Sequence, residues 1–178
     1  MKRIVVTEYV SLDGVFENPA WTRPYWCDEI AKYKFDELFS SDVLLLGRET
    51  YQGFAAAWPS QKDEQGFADR MNGLPKVVVS STLEQADWNN SSIINENMLE
   101  EIARLKQAEG ADILVYGSAS LAHLLLEHGL VDEIRLLVYP LVLGKGRRLF
   151  AYGLDKKLKL GEVQTFPTGV IALAYHPE

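Results

Sequence analysis

Residues 112–129 read DILVYGSASLAHLLLEHG. Ile113, Leu114, Val115 and Tyr116 form a short apolar run, the pattern of a strand buried on both faces. Gly117 breaks the run, and Ser118 can cap a helix by offering its hydroxyl oxygen to unpaired backbone N–H groups. Leu121, Leu124 and Leu125 then share one helical face. His128 falls in the last turn, where positive charge is favoured, and Gly129 supplies a left-handed stop. Asp132 to Tyr139, DEIRLLVY, follows at once as a second strand. Strand, glycine turn, helix and strand make one βαβ unit whose turn aims a helix N-terminus over the sheet edge, a natural seat for phosphate. A glycine there can equally serve turn geometry alone, so other residues must decide.

Before this unit the chain alternates strands and helices. Residues 3–12, RIVVTEYVSL, read as a first strand closed by Asp13-Gly14. FENPAWTRPYW is a loop, and a helix is predicted over 28–40. Val43 to Leu46 reads as a buried strand ended by Gly47, while TYQGFAAAWP at 50–59 is ambiguous. A short helix fits 63–71, a strand 76–80, a weak strand 93–94 and a helix 96–108. After Tyr139-Pro140 comes the loop LVLGKGRRLF, in which Lys145, Arg147 and Arg148 are either a phosphate clamp or a solvated turn. The end reads as a hairpin of 157–165 and 170–176. The fold class predicted is therefore α/β. A mostly parallel central sheet carries helices on both faces and an antiparallel C-terminal hairpin, in one domain over 1–178.

The 178 residues suffice for a substantial core, and 47% hydrophobic with 24% charged residues is ordinary for a globular protein. A net charge of −7 without a basic stripe speaks against nucleic acid as a partner. The lone Cys27 excludes an internal disulfide and fits a reducing cytoplasm. No apolar run approaches the roughly 20 residues that span a membrane, so no membrane partner is expected. His123, His128 and His176 are not spaced as metal ligands, and no metal is expected.

Ligands of such sheets bind at the carboxyl ends of the strands. Three strands end there in small or polar residues: Gly47-Arg48-Glu49-Thr50, Ser80-Ser81-Thr82 and Gly117-Ser118-Ala119-Ser120. Glycine permits close backbone approach, hydroxyls donate to phosphate, and Arg48 brings a planar charged fork. Together they favour an anionic nucleotide.

Four segments in order, SLDG at 11–14, LLGRETYQGF at 45–54, KVVVSSTL at 76–83 and the long run 115–150, cover much of the chain. They resemble the dihydrofolate reductase-like superfamily, and specifically the small proteins similar to the reductase domain of bacterial riboflavin biosynthesis. That resemblance implies a dihydrofolate reductase-like fold and NADPH as cofactor, met by Gly47, Arg48, Thr50, Ser80, Ser81, Gly117, Ser118, Ala119 and Ser120. It also implies a homodimer joined through the C-terminal region and a cis bond at Gly117-Ser118. The family usually has Gly-Gly at 117–118, so Ser118 leaves less room beside a pyrophosphate.

The chemistry implied is hydride transfer to a C=N or carbonyl group. The heterocyclic substrate would be a 5-amino-6-(5-phosphoribosylamino)uracil-like pyrimidine or a pterin. Asp13 and Asp28 are the candidate catalytic acids. Asp13 can instead be a turn residue, and Asp28 can simply favour its helix dipole. Trp21, Tyr25 and Trp26 could stack on a flat substrate or belong to the core. The alternative to a reductase is a catalytically silent nucleotide-binding protein of the same fold, which turnover of NADPH would distinguish.

Overall fold

The computed structural model describes residues 1–150 and 153–178. Among them, eight strands form one sheet in the order β4-β3-β2-β5-β1-β6-β8-β7. In chain order the elements are β1 (Ile4–Ser11), α1 (Asp28–Phe39), β2 (Ser41–Gly47), α2 (Arg48–Ala57), α3 (Phe67–Gly73), β3 (Lys76–Val79) and β4 (Ser91–Ile94). There follow α4 (Met98–Gln107), β5 (Asp112–Val115), α5 (Ala119–Glu127), β6 (Glu133–Tyr139), β7 (Leu158–Thr165) and β8 (Ile171–Pro177). The first six strands pair in parallel, and β8 and β7 close the sheet antiparallel.

Strand alternation divides the core between two faces. Ile4, Val6, Ile113 and Val115 point into one cluster with Ile102 of α4 and Leu121 and Leu125 of α5. Val5, Leu44, Leu46 and Leu114 point into the other, against Leu38 of α1, Tyr51 of α2 and Met71 of α3. Continuous apolar runs in β2 and β5 are thus consumed on both sides. A third cluster gathers Ile30, Leu137, Tyr139, Phe166 and Val170 beneath the loop that follows β1.

The ambiguous stretch at 50–59 is helical: it belongs to α2, followed by a 3-10 turn over Trp58–Ser60. α3 begins four residues after its predicted start. The Asp63 carboxylate accepts from the N–H groups of Gln65, Phe67 and Ala68 at 3.0, 2.9 and 2.7 Å, holding a turn ahead of the helix. β6 is interior, flanked by β1 and β8, and β7 is the outermost strand at that end of the sheet.

Candidate functional site

The order β3-β2-β5 brings the three glycine- and hydroxyl-bearing strand ends side by side. Gly47 N–H donates to the Gly117 carbonyl at 3.0 Å, tying the end of β2 to the turn after β5. A Cβ at Gly47 would come within 2.9 Å of Ser118 Cβ, so only glycine fits this approach. Gly117 has φ of 113°, and the Gly117-Ser118 bond is cis, as the resemblance implies. Ser118 caps α5, its Oγ accepting from Leu121 N–H at 3.4 Å while lying 2.8 Å from Ser120 Oγ. Serine is thus accommodated at the second position with its hydroxyl at the helix N-terminus.

Beside this turn, Arg48 at the start of α2 donates from Nη1 to Thr82 Oγ1 at 3.1 Å. Ser80 Oγ accepts from the N–H groups of Thr82 and Leu83 at 3.2 and 3.0 Å, which folds the segment after β3 toward Arg48. A cleft of about 790 Å³ runs across these ends, lined by Arg48, Thr50, Ser80, Ser81 and Gly117 through Ser120. Gly47 sits behind it as the support of the turn. Arg147 reaches the cleft from the glycine loop and pairs with Glu17 at 2.9 Å and Glu49 at 3.5 Å. Arg148 turns away and donates to the Asp13 carbonyl at 3.0 Å.

A second cleft of about 680 Å³ shares Phe54 and Tyr116 with the first and is lined by Tyr9, Trp26, Phe35, Trp58 and Phe67 among others. Flat aromatic walls beside a polar trough suit a planar ring next to a dinucleotide. Trp26 is at this wall. Trp21 and Tyr25 are not: each packs edge-on against buried Tyr139, at 5.5 and 5.8 Å, in the third core cluster.

The two acids singled out from sequence lie elsewhere. Asp13 accepts from Ser11 Oγ at 2.6 Å and from the N–H groups of Leu143 and Gly144 at 3.1 and 2.8 Å. These bonds hold its carboxyl down at about 2 and make it the pin between the first loop and the glycine loop. Asp28 stands exposed in the first turn of α1 and lines neither cleft.

Glu8 of β1 is the acid that sequence reading passed over. It lines the first cleft, and its Oε1 is shut off from solvent without a hydrogen-bond partner. Burial pushes its carboxyl up to about 8, against the attraction of Lys34 and with the repulsion of Glu37. One signal was available: VVTEYV puts a carboxylate inside an apolar strand, tolerable at the sheet centre only beside an opening.

A model of the RibD C-terminal domain matches residues 2–172. The uncharacterized protein YyaP of Bacillus subtilis (strain 168) is 34% identical over 183 residues, covering 98% of this chain and 95% of that protein. A putative riboflavin biosynthesis protein from Shewanella sp. PV-4 superposes with a TM-score of 0.78 at 20% identity, over 99% of each chain. Dihydrofolate reductase from Enterococcus faecalis, complexed with NADP(H), superposes with a TM-score of 0.59 at 15% identity, over 99% of this chain and 96% of that one. The fold is therefore that of dihydrofolate reductase-like proteins. Among the described residues no helix is long and apolar enough to cross a membrane, and no group of metal-ligating side chains forms.

Proposed function

The chain belongs to the RibD C-terminal domain family, and from that premise we propose that it is an NADPH-dependent reductase of a heterocyclic substrate. The carrying observation is the convergence of three adjacent strand ends on one polar cleft that opens into an aromatic one. The residues present fit a dinucleotide. A Cβ at Gly47 would strike Ser118, so the glycine lets the end of β2 close against the turn after β5, and the N-terminus of α5 offers N–H groups and the Ser118 and Ser120 hydroxyls to a pyrophosphate. Arg48, with Ser80, Ser81 and Thr82, forms the anion pocket for the 2′-phosphate, and Thr50 borders Gly117 from α2.

A bound NADPH supplies the hydride. The chain's own share is to hold the two rings together and exclude water between them. Trp26, Phe54 and Tyr116 form the walls for a planar acceptor such as 5-amino-6-(5-phosphoribosylamino)uracil or a pterin. The half-buried, unbridged Cys27 fits work in a reducing compartment.

Titration with NADPH, followed by tryptophan fluorescence, should give saturable quenching. Either acceptor should then drive NADPH oxidation. Absence of NADPH binding would overturn the reading. Binding without turnover of either acceptor would mark a nucleotide-binding protein instead.

A further inference from the structure

We propose that Glu8 is the catalytic proton donor of this site, an inference that rests on the reductase reading. β1 lies at the centre of the sheet between β5 and β6, and Glu8 pairs in register with Leu136 of β6. Its side chain comes up under the turn after β5. A Cβ added at Gly117 would lie 3.0 Å from Glu8 Oε1 and 3.0 Å from Thr50 Oγ1. The carboxyl oxygen and the Thr50 hydroxyl therefore press against the bare Cα of Gly117, at the joint between the two clefts. Tyr116, which lines both clefts, is the residue before it.

The acids that line the clefts narrow to this one. Glu17 and Glu49 are held at the mouth by Arg147. The Asp63 carboxylate is consumed at the start of α3, and Glu64 is exposed on the outer loop. Tyr9 and Tyr116 border the same space, but burial raises both phenols well above 10, so they hold their protons. The nearby Lys34 ammonium is turned to Glu37 and to Thr7 Oγ1, over the rings of Tyr9 and Tyr116 at 5.3 and 4.9 Å. Of the acids that line the two clefts, Glu8 alone has a buried oxygen without a hydrogen-bond partner, set under Gly117 at the first cleft. A carboxyl kept neutral near pH 7 by burial is a competent acid.

In the step assigned to it, hydride from the reduced dinucleotide reaches the carbon of an acceptor C=N bond. The Glu8 O–H bond breaks as the new N–H bond forms. The acceptor is reduced by one hydride and one proton, the dinucleotide is oxidised, and Glu8 is left as carboxylate. Between turnovers the proton returns from the first cleft, which the half-buried Glu8 side chain lines.

Glu8→Gln tests this, since the amide keeps the shape and loses the acid. Infrared titration of the unliganded wild type should show a carboxylic C=O band that disappears with a midpoint near pH 8 and is missing from Glu8→Gln. NADPH should quench the fluorescence of both proteins with affinities within about twofold. With 5-amino-6-(5-phosphoribosylamino)uracil or 7,8-dihydrobiopterin as acceptor, kcat should fall about 10²- to 10⁴-fold with little change in KM. The basic limb of the wild-type rate profile should vanish from the residual rate, and Glu8→Asp should recover part of the loss. An ionised Glu8 at pH 7, or an undiminished kcat in Glu8→Gln, overturns the assignment while NADPH binding stands. A wild type that binds no NADPH, or reduces neither acceptor, overturns the reductase reading and this inference with it.

Discussion

Arg48 donates to Thr82 Oγ1 at 3.1 Å and is otherwise exposed at the cleft wall, so its charge is available to an anion. A charge-assisted hydrogen bond is worth roughly 1.5–3 kcal/mol, which corresponds to a ten- to hundredfold preference. NADPH should therefore bind at least tenfold more tightly than NADH. Arg48→Ala should abolish most of that difference while leaving NADH affinity nearly unchanged, as fluorescence titration of both cofactors would read. Equal wild-type affinities would remove the 2′-phosphate pocket. Glu8 carries a second consequence, in stability. Its folded-state carboxyl titrates at about 8 rather than 4.5, so the unfolded chain releases this proton first. Its contribution is intact below about pH 4.5 and is lost as pH rises to about 8, at a slope on the order of 1 kcal/mol per pH unit. Urea midpoints at pH 5 and pH 8 should differ less in Glu8→Gln than in wild type. That the glycine- and hydroxyl-bearing strand ends line one cleft was legible because such residues have few structural reasons to gather at one sheet edge. Asp13, Asp28 and Glu8 were not, because a carboxylate's role depends on what surrounds it, and the bonds from Leu143 and Gly144 to Asp13 cross 130 and 131 residues.

At the scale of elements, α1 turns an ion pair of its own against the sheet, where it is buried beside Thr7 of β1 and Arg135 of β6. Lys34 and Glu37 bond directly with side chains only 5% and 1% exposed, and Arg135 of β6 approaches Glu37 at 3.7 Å while bonding Glu133 at 2.5 Å. Removing one partner of such a pair strands a charge, at a cost of roughly 3–5 kcal/mol. Lys34→Ala should lose that much in chemical denaturation. The double change Lys34→Met/Glu37→Leu should recover most of the loss, because the uncompensated carboxylate goes with the lysine. A double variant as unstable as the single one would show that the pair itself, rather than the stranded charge, sets the stability. Helix α1 was legible from Ile30 and Leu38, which are buried at helical spacing. Its polar contacts were not, since helical spacing does not tell that Thr7 and Arg135 come against Lys34 and Glu37. α2 was obscured by Gly53 and by three alanines that carry no periodicity, and it is fixed by Tyr51 packing beside Trp88 at 6.0 Å.

For the whole molecule, the element sequence announced a parallel sheet with an antiparallel end, but strand order depends on contacts no local pattern encodes. β1 between β5 and β6, and β2 between β3 and β5, follow only once the chain closes. That order decides which edge is open. β6 is covered by β8, leaving β7 outermost, and the cross-strand pairs Val163 with Leu173 and Leu160 with Tyr175 put an apolar stripe on one face of the hairpin. Leu160 and Val163 are each 50% exposed and Ile171 is 38% exposed. An apolar face at an unpaired edge invites association, and a second copy of the chain presents the same stripe for a two-fold contact. The protein should therefore sediment at micromolar concentration with a mass near twice 20.1 kDa. Leu160→Lys combined with Val163→Lys places charge on that face without disturbing buried side chains. It should shift the protein to a monomer with the clefts intact, so NADPH titration should be unchanged. A wild-type monomer at that concentration would leave the stripe without this role, and a charged double variant that stays dimeric would move the contact to another surface.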